Sequence, residues 1–331
     1  MLRQLSATHR SWPLTAPFRI ARGVKTSAET VEVSLRQGEH EGRGESVPYA
    51  RYGETVPFVL AQIAQVRADL EAGAGRHDLQ GLLPAGAARN ALDLALWDLE
   101  CRQSGVSVAA RLGQPPLSET VSALTLSLDT PERMGAAAAA VASAALIKIK
   151  VDASSPAERI RAVRQAAPQS RLIVDPNESW DMALLQAMQP VLVENDVALV
   201  EQPLPAHEDH ALEGFVPARP ICADESCHVA ADLPQLRSRY QAVNIKLDKT
   251  GGLSEALRLL EAAQADGFLI MVGCMVASSL GIAPALHVAR HASFVDLDGP
   301  WWLQQDMAGG VRFRHGRLTP PAPGFWGEYG E

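Results

Sequence analysis

The chain has 331 residues, 47% of them hydrophobic, and a formal net charge of -8, which is enough apolar material for a large core with a smaller second domain and excludes a disordered chain. Arg and Lys are spread along the sequence without a basic stripe, so neither nucleic acid nor an anionic membrane surface is an expected partner; a small molecule is. The opening MLRQLSATHRSWPL has no secretory apolar stretch and no apolar run is long enough to span a bilayer, so the expectation is a cytoplasmic enzyme.

Taken in chain order, the alternation in TVEVSLRQ, the glycines of GEHEGRGES and a return strand predict an antiparallel hairpin or meander. Two helical stretches follow, TVPFVLAQIAQVRADLEAG and AGAARNALDLALWDLECRQSG, the second with Leu92, Ala95, Leu96 and Leu99 on one face. Together they make an α+β cap over residues 1–115, ending where GQPP punctuates the chain. TVSALTLSL then opens a different pattern. Short Val- and Ile-rich runs recur near 146–151, 171–175, 198–201, 220–224, 242–246, 269–273 and 293–297, and stretches of helical spacing such as PAERIRAVRQAA and GGLSEALRLLEAAQADG follow them. Strand then helix, repeated, predicts a β/α barrel over 116–309, with the active site at the carboxyl ends of its strands. The tail, 310–331, is expected to pack back on the cap.

Buried strands have no structural need for a charge at their ends, yet these runs end in one. Asp175, Glu201 and Asp224 close the third, fourth and fifth strands, and three carboxylates without His or Cys suit a hard divalent cation, magnesium being the natural candidate. Asn177 and Glu225 lie close enough in sequence to orient such ligands, or simply to begin the next helix. Lys148 and Lys150 are two apart in LIKIKV and share a face, while Lys246 ends the sixth strand across the barrel. Repulsion and burial are expected to pull such lysines below their ordinary pKa of about 10.4, toward use as bases on opposite sides of a substrate. Lys249 reads as a lysine that reaches solvent.

In order along the chain, Lys148-x-Lys150, Asp175-x-Asn177, Glu201, Asp224-Glu225 and Lys246-x-Asp248 resemble the enolase superfamily, in particular its muconate-lactonizing subgroup, and the resemblance covers almost the whole chain. It implies a modified TIM barrel, (β/α)7β, with an N-terminal α+β capping domain. It also implies Mg2+ on Asp175, Glu201 and Asp224, acid/base roles for Lys150 and Lys246, an electrostatic role for Lys148, and supporting places for Asn177, Glu225 and Asp248. In that subgroup a lysine removes the proton α to a carboxylate and the metal stabilises the enediolate. Within it, LPAGAARNALDLALWDLE, NIKLDKTGGL, MVGCM and FVDLDGPWWL are most similar to dipeptide epimerases, specifically the L-Ala-D/L-Glu epimerases. That likeness implies a murein-peptide substrate whose ammonium meets Asp296 and Asp298, with Thr125 in the pocket. A mobile cap loop, IARGVKTSAET, would bring Lys25, with Arg22 behind it, to the glutamate side chain. Pro176, between Asp175 and Asn177, departs from the pattern and stiffens that strand end.

Other motifs are weaker. LDKTGGL lacks the loop of a P-loop, no Gly-x-Ser-x-Gly elbow occurs, and His287 and His291 read as parts of a packed helix. Cys101, Cys222, Cys227 and Cys274 lack CxxC spacing and read as small buried residues, Cys274 as a candidate for the site wall. Three alternatives stay open: an epimerase of other dipeptides, a lyase or cycloisomerase such as o-succinylbenzoate synthase or muconate cycloisomerase, and a barrel that only binds a peptide. No feature of the sequence assigns an oligomeric state.

Overall fold

The computed structural model describes residues 3–327. Among them the strands form three sheets, and none of the helices is long and apolar enough to cross a membrane. The cap begins with β1 (Gln4–Ile20), β2 (Gly23–Gln37) and β3 (His40–Ser46), an antiparallel meander. The predicted TVEVSLRQ strand is the second half of β2. Residues 4–20, not read as a strand from sequence, pair with it, and the expected mobile loop 20–30 is a hairpin turn at Ala21–Arg22 followed by β2 itself.

The next helices are α1 (Val56–Gln65), α2 (Arg67–Ala72), α3 (Arg76–Leu82) and α4 (Ala87–Ser104); the first predicted stretch is thus two helices that meet at Val66. The last of them, α4, is buried without interruption from Ala87 to Leu99. A surface helix shows one apolar stripe; this one has two, because it lies between two cores. Leu92, Ala95, Leu96 and Leu99 join the cap core as predicted, and Leu94, Trp97 and Cys101 join the barrel core. Its charged residues bridge the same boundary: Arg89 donates to the carbonyls of Thr250 and Gly251, and Asp93 accepts from the amide and hydroxyl of Ser254. The cap sheet approaches α4 closely at Gly42 and Gly44, where a Cβ would stand 2.1 Å and 2.2 Å from the carbonyl oxygens of Ala95 and Ala91.

TVSALTLSL contributes to two sheets. Its start is β4 (Thr120–Val121), paired with β14 (Arg317–Thr319) and through it β13 (Arg312–Arg314); its middle is β5 (Leu124–Leu126), the first barrel strand. The rest of the parallel sheet is β6 (Leu146–Lys150), β7 (Arg171–Asp175), β8 (Val197–Glu201), β9 (Ile221–Ala223), β10 (Ala242–Ile245), β11 (Leu269–Gly273) and β12 (Phe294–Asp296), in sequential order. An amide-to-carbonyl bond of 2.7 Å from Ala123 to Val295 joins the ends of the sheet. The tail runs first along the barrel as β13 and β14. Residues 325–327 then meet the cap: Arg43 donates to the Phe325 carbonyl, Trp326 to the Arg43 carbonyl, and the Gly327 amide to Asp98. Residues 1–2 and 328–331 of the proposed cap and tail lie outside the described residues.

One apolar residue per strand forms the floor of the barrel interior: Ala123, Leu146, Ile173, Leu199, Cys222, Ala242, Met271 and Phe294. Side chains on a strand alternate faces, so the residue two further on points the same way, toward the open end. That residue is Thr125, Lys148, Asp175, Glu201, Asp224, Asn244, Gly273 or Asp296. An apolar floor with a polar layer directly above it is what places the chemistry.

Candidate active site

Above this layer, under the cap, is a cavity of about 810 Å³ lined by Lys148, Lys150, Asn177, Asp224, Glu225, Lys246, Asp296 and Asp298 from the barrel, with Thr125. The cap supplies Arg22, Lys25 and Tyr49 to its wall. Thr125, Lys148, Lys150, Asp175, Asn177, Glu201, Asp224, Glu225, Lys246, Asp296 and Asp298 are all buried.

The three strand-end acids share one arrangement. Asp175 Oδ1 accepts the Asn177 amide at 2.9 Å, Glu201 Oε1 accepts Asn244 Nδ2 at 2.9 Å, and Asp224 Oδ1 accepts Lys249 Nζ at 2.7 Å. The other oxygen of each meets a cavity lysine: Asp175 Oδ2 lies 2.5 Å from Lys150 and 3.1 Å from Lys148, Glu201 Oε2 2.7 Å from Lys148, and Asp224 Oδ2 2.6 Å from Lys246. One oxygen is held by the scaffold and the other faces a cation, with Asp175 Oδ2 also accepting Asn177 Nδ2 at 3.2 Å. Among the described residues no three acid, His or Cys side chains already stand in metal-binding geometry. The Lys148 ammonium touches both Asp175 and Glu201 and takes the place where those two acids converge. Three offered carboxylate oxygens, each held by a second bond, nevertheless fit a hard divalent cation. Glu225 has a similar form, with Oε1 on Arg22 at 2.7 Å and Oε2 buried without a hydrogen-bond partner.

The expectation of depressed lysine pKa values is reversed for Lys148 and Lys246. Burial alone would lower Lys148, but Asp296, Glu201 and Asp175 outweigh it and hold the ammonium well above its ordinary range. Lys246 is likewise raised, with Asp224 and Glu201 overcoming burial. On the acid side, burial would raise Asp175 and Asp224, yet the facing lysines pull both down. Burial pushes Glu201 up, helped by the neighbouring Asp175. Sequence reasoning counted the repulsion within the Lys pair and left out the carboxylates that meet it.

Across the barrel from the acids, Asp296 pairs with Lys148 at 2.9 Å and accepts from Thr125 Oγ1. Asp298 accepts the Thr125 amide at 2.7 Å and Trp302 Nε1 at 3.3 Å. Burial and Asp296 raise its carboxyl to about 7. Lys25 lies 4.8 Å over the Tyr49 ring and has no carboxylate partner among the described residues. Arg22, placed behind it from sequence, is instead bonded to Glu178, Glu225, the Asn177 carbonyl and Tyr49.

Three sequence expectations are corrected. Asp248 touches none of the ligand acids; its Oδ1 accepts the Val47 amide and Asn90 Nδ2, tying barrel to cap. Lys249 does not reach solvent, since its Nζ donates to Asp224 Oδ1 and to the carbonyls of Asp224 and Asn244. Of the two histidines, His287 is buried, with a pKa lowered to about 3 by burial, whereas His291 is exposed against Gln114. Ser278 caps the helix Ser279–Ile282 and bonds to Glu45 of the cap. Asn244 and Lys249 were missed. The first was legible, lying two residues after Ala242 and two before Lys246.

Residues 3–113 match the family model for the mandelate racemase / muconate lactonizing enzyme N-terminal domain, and residues 133–326 match the enolase C-terminal domain-like model. The chain therefore belongs to the enolase superfamily, as a member of the mandelate racemase / muconate lactonizing enzyme type. It is 47% identical to an L-Ala-D/L-Glu epimerase of Escherichia coli K12, over 96% of this chain and 99% of that one. It is 45% identical to an N-acetyl-D-glutamate racemase of Pseudoalteromonas, over 90% and 95%. A solved enolase family member from Agrobacterium tumefaciens, described as homologous to dipeptide epimerases and holding sodium and L-Ala-L-Glu with an ordered loop, superposes with a TM-score of 0.95 at 45% identity, covering 98% and 99% of the two chains. A dipeptide epimerase from Enterococcus faecalis with Mg and L-Leu-L-Tyr superposes with a TM-score of 0.90 at 27% identity, covering 98% and 99%.

Proposed function

We propose that this chain is a magnesium-dependent dipeptide epimerase that interconverts L-Ala-L-Glu and L-Ala-D-Glu by two-base transfer of the proton on the C-terminal α-carbon, through an enediolate. The observation that carries this reading is the placement of Lys150 on β6 and Lys246 just after β10, four strands apart in an eight-stranded sheet, with the three acids on the strands between them. A racemising site needs a proton carrier on each face of one carbon, and a peptide-binding barrel needs neither. Asp175 Oδ2, Glu201 Oε2 and Asp224 Oδ2 would hold Mg2+, which supplies Lewis-acid stabilisation of the substrate carboxylate as its α-carbon loses the proton. Acting as acid, either lysine serves as the ammonium, the form that Asp224 and Glu201 favour in Lys246. Acting as base, it must be neutral, a form that a cation held by the facing carboxylates would favour by offsetting their charge.

Asp298, whose only described donors are neutral, is placed to receive the substrate ammonium, with Asp296 beside it already paired to Lys148. Lys25 is the cap cation left to meet the glutamate side chain, and as a point charge without a fork it would select less sharply than arginine. The reading places the enzyme in the cytoplasm, acting on peptides recovered from murein.

Proton NMR of L-Ala-L-Glu in D2O with enzyme and Mg2+ should show loss of the glutamate α-proton signal and growth of the L-Ala-D-Glu diastereomer. Replacing Lys150 or Lys246 should stop epimerisation and leave exchange from one diastereomer only. Absence of exchange across a panel of dipeptides would sink the proposal. The N-acetyl-D-glutamate racemase relative motivates one comparison, because an N-acylated glutamate carries no ammonium: it should bypass Asp298, whereas a dipeptide should not.

A further inference from the structure

Arg22 stands at the tip of the β1–β2 hairpin, the part of the cap that overhangs the cavity, and all its described polar contacts leave the hairpin. It donates to the Asn177 carbonyl at 2.9 Å and Glu178 Oε2 at 3.0 Å, both after β7, to Glu225 Oε1 at 2.7 Å after β9, and to Tyr49 Oη at 3.2 Å. The receiving turn is specialised. Asn177 and Glu178 are consecutive non-glycine residues with φ of 48° and 68°, a conformation that side chains disfavour and that persists only where the surroundings impose it. Glu178 is held in place from other directions by Arg51, at 2.6 and 2.7 Å, and by the Ala206 amide at 2.9 Å. Glu225 is nearly fully buried and adjoins Asp224. The other flank of the hairpin is tied at Arg19, whose carbonyl accepts the Leu128 amide at 3.0 Å and whose amide donates to Ser127 at 2.7 Å. Val24 and Lys25, just beyond Arg22, line the cavity.

We propose that Arg22 is a positioning residue for the reaction: a latch that locks the hairpin tip onto Glu178 and Glu225, so that Lys25 is presented to the substrate only when the cap strand is fastened to the barrel mouth. A guanidinium is the suitable group, because its planar fork reaches two carboxylates and a carbonyl at once, which an ammonium on a shorter stem does not. The two basic residues of the turn thereby divide the work. Arg22 fastens to the protein and Lys25 is left for the ligand. This deepens the epimerase reading and rests on it for the identity of the ligand, but the latch itself is a property of the free protein.

The test uses the full-length protein and the variants Arg22→Gln, Arg22→Lys and Arg51→Gln, all at exposed or half-exposed side chains. Amide hydrogen exchange over residues 20–26, read without substrate, should quicken about tenfold or more in R22Q and to an intermediate degree in R22K. It should change less than threefold in R51Q, which leaves Arg22 its own partners. With L-Ala-L-Glu, R22Q should raise KM about tenfold while kcat stays within threefold, since a latch equally closed in ground and transition states contributes uniform binding. Unchanged exchange and unchanged KM in R22Q would overturn the latch. If no dipeptide is turned over by the unmodified enzyme, the function proposal fails, and the exchange comparison still decides the latch.

Discussion

At the scale of single residues, each ligand acid is a two-ended device, and the difference between its ends makes predictions. Asp175 and Glu201 are tied by neutral donors, but Asp224 is tied by a buried ammonium, Lys249. Removing that tie frees Asp224 Oδ1 to turn, so Lys249→Met should weaken Mg2+ binding by about ten- to a hundredfold, the usual loss when an outer partner of a metal ligand is removed. Calorimetric titration of Mg2+ without dipeptide checks this; an unchanged affinity would mean that Asp224 needs no tether. At the other wall, Asp298→Asn keeps the hydrogen-bonding shape and deletes the charge. It should lower kcat/KM for L-Ala-L-Glu about ten- to a hundredfold, in line with about 1.5–3 kcal/mol for a hydrogen bond to a charged group. Turnover of N-acetylglutamate, if present, should be unaffected.

At the scale of elements, the barrel strands were readable because each obeys one rule twice: a short Val/Ile run, and an inward residue every second position. Seven of the eight strands match the predicted runs to within a residue at their ends, the first, β5, is only the middle of TVSALTLSL, and the acids and Lys148 surface one step above the apolar floor, with Lys150 and Lys246 two steps above it. What sequence did not disclose depends on partners distant in the chain. Lys249 lies in a short helix after β10, where solvent exposure is the ordinary outcome, and only the close approach of Asp224 makes it an internal cation. Arg22 and Lys25 are indistinguishable as basic residues of a turn until Glu178 and Glu225 come to meet one of them. The contact between the cap sheet and α4 is of the same kind. Gly44→Ala would drive a Cβ to 2.2 Å from the Ala91 carbonyl, forcing the helix off the sheet. Chemical denaturation should report a loss of about 1–3 kcal/mol.

At the scale of the molecule, the junction between cap and barrel contains buried carboxyls with no cationic partner in hydrogen-bond contact among the described residues. Glu45 meets Thr30 and Ser278, Asp93 meets Ser254, and Asp248 meets Val47 and Asn90. Burial pushes Glu45 and Asp248 up to about 7 and Asp93 up to about 6. A carboxyl whose pKa is higher in the folded than in the unfolded chain contributes stability that is full below its unfolded value, about 4. That contribution is lost as pH rises through the folded value. Between about pH 4.5 and 7 these groups therefore make the junction weaker as pH rises. In Glu45→Gln the fall of Tm over that interval should be shallower than in the unmodified protein; parallel profiles would show that Glu45 is ionised throughout.

The double membership of α4 bears on what counts as a unit here. Cutting the chain at the GQPP segment would divide it between two folding units by sequence, yet a barrel made alone would expose the surface that Leu94, Trp97 and Cys101 cover, and a cap made alone would leave those side chains in water. Neither piece has a closed interior of its own. Heat should therefore melt the protein in one transition, and separately expressed halves should recover structure only when mixed.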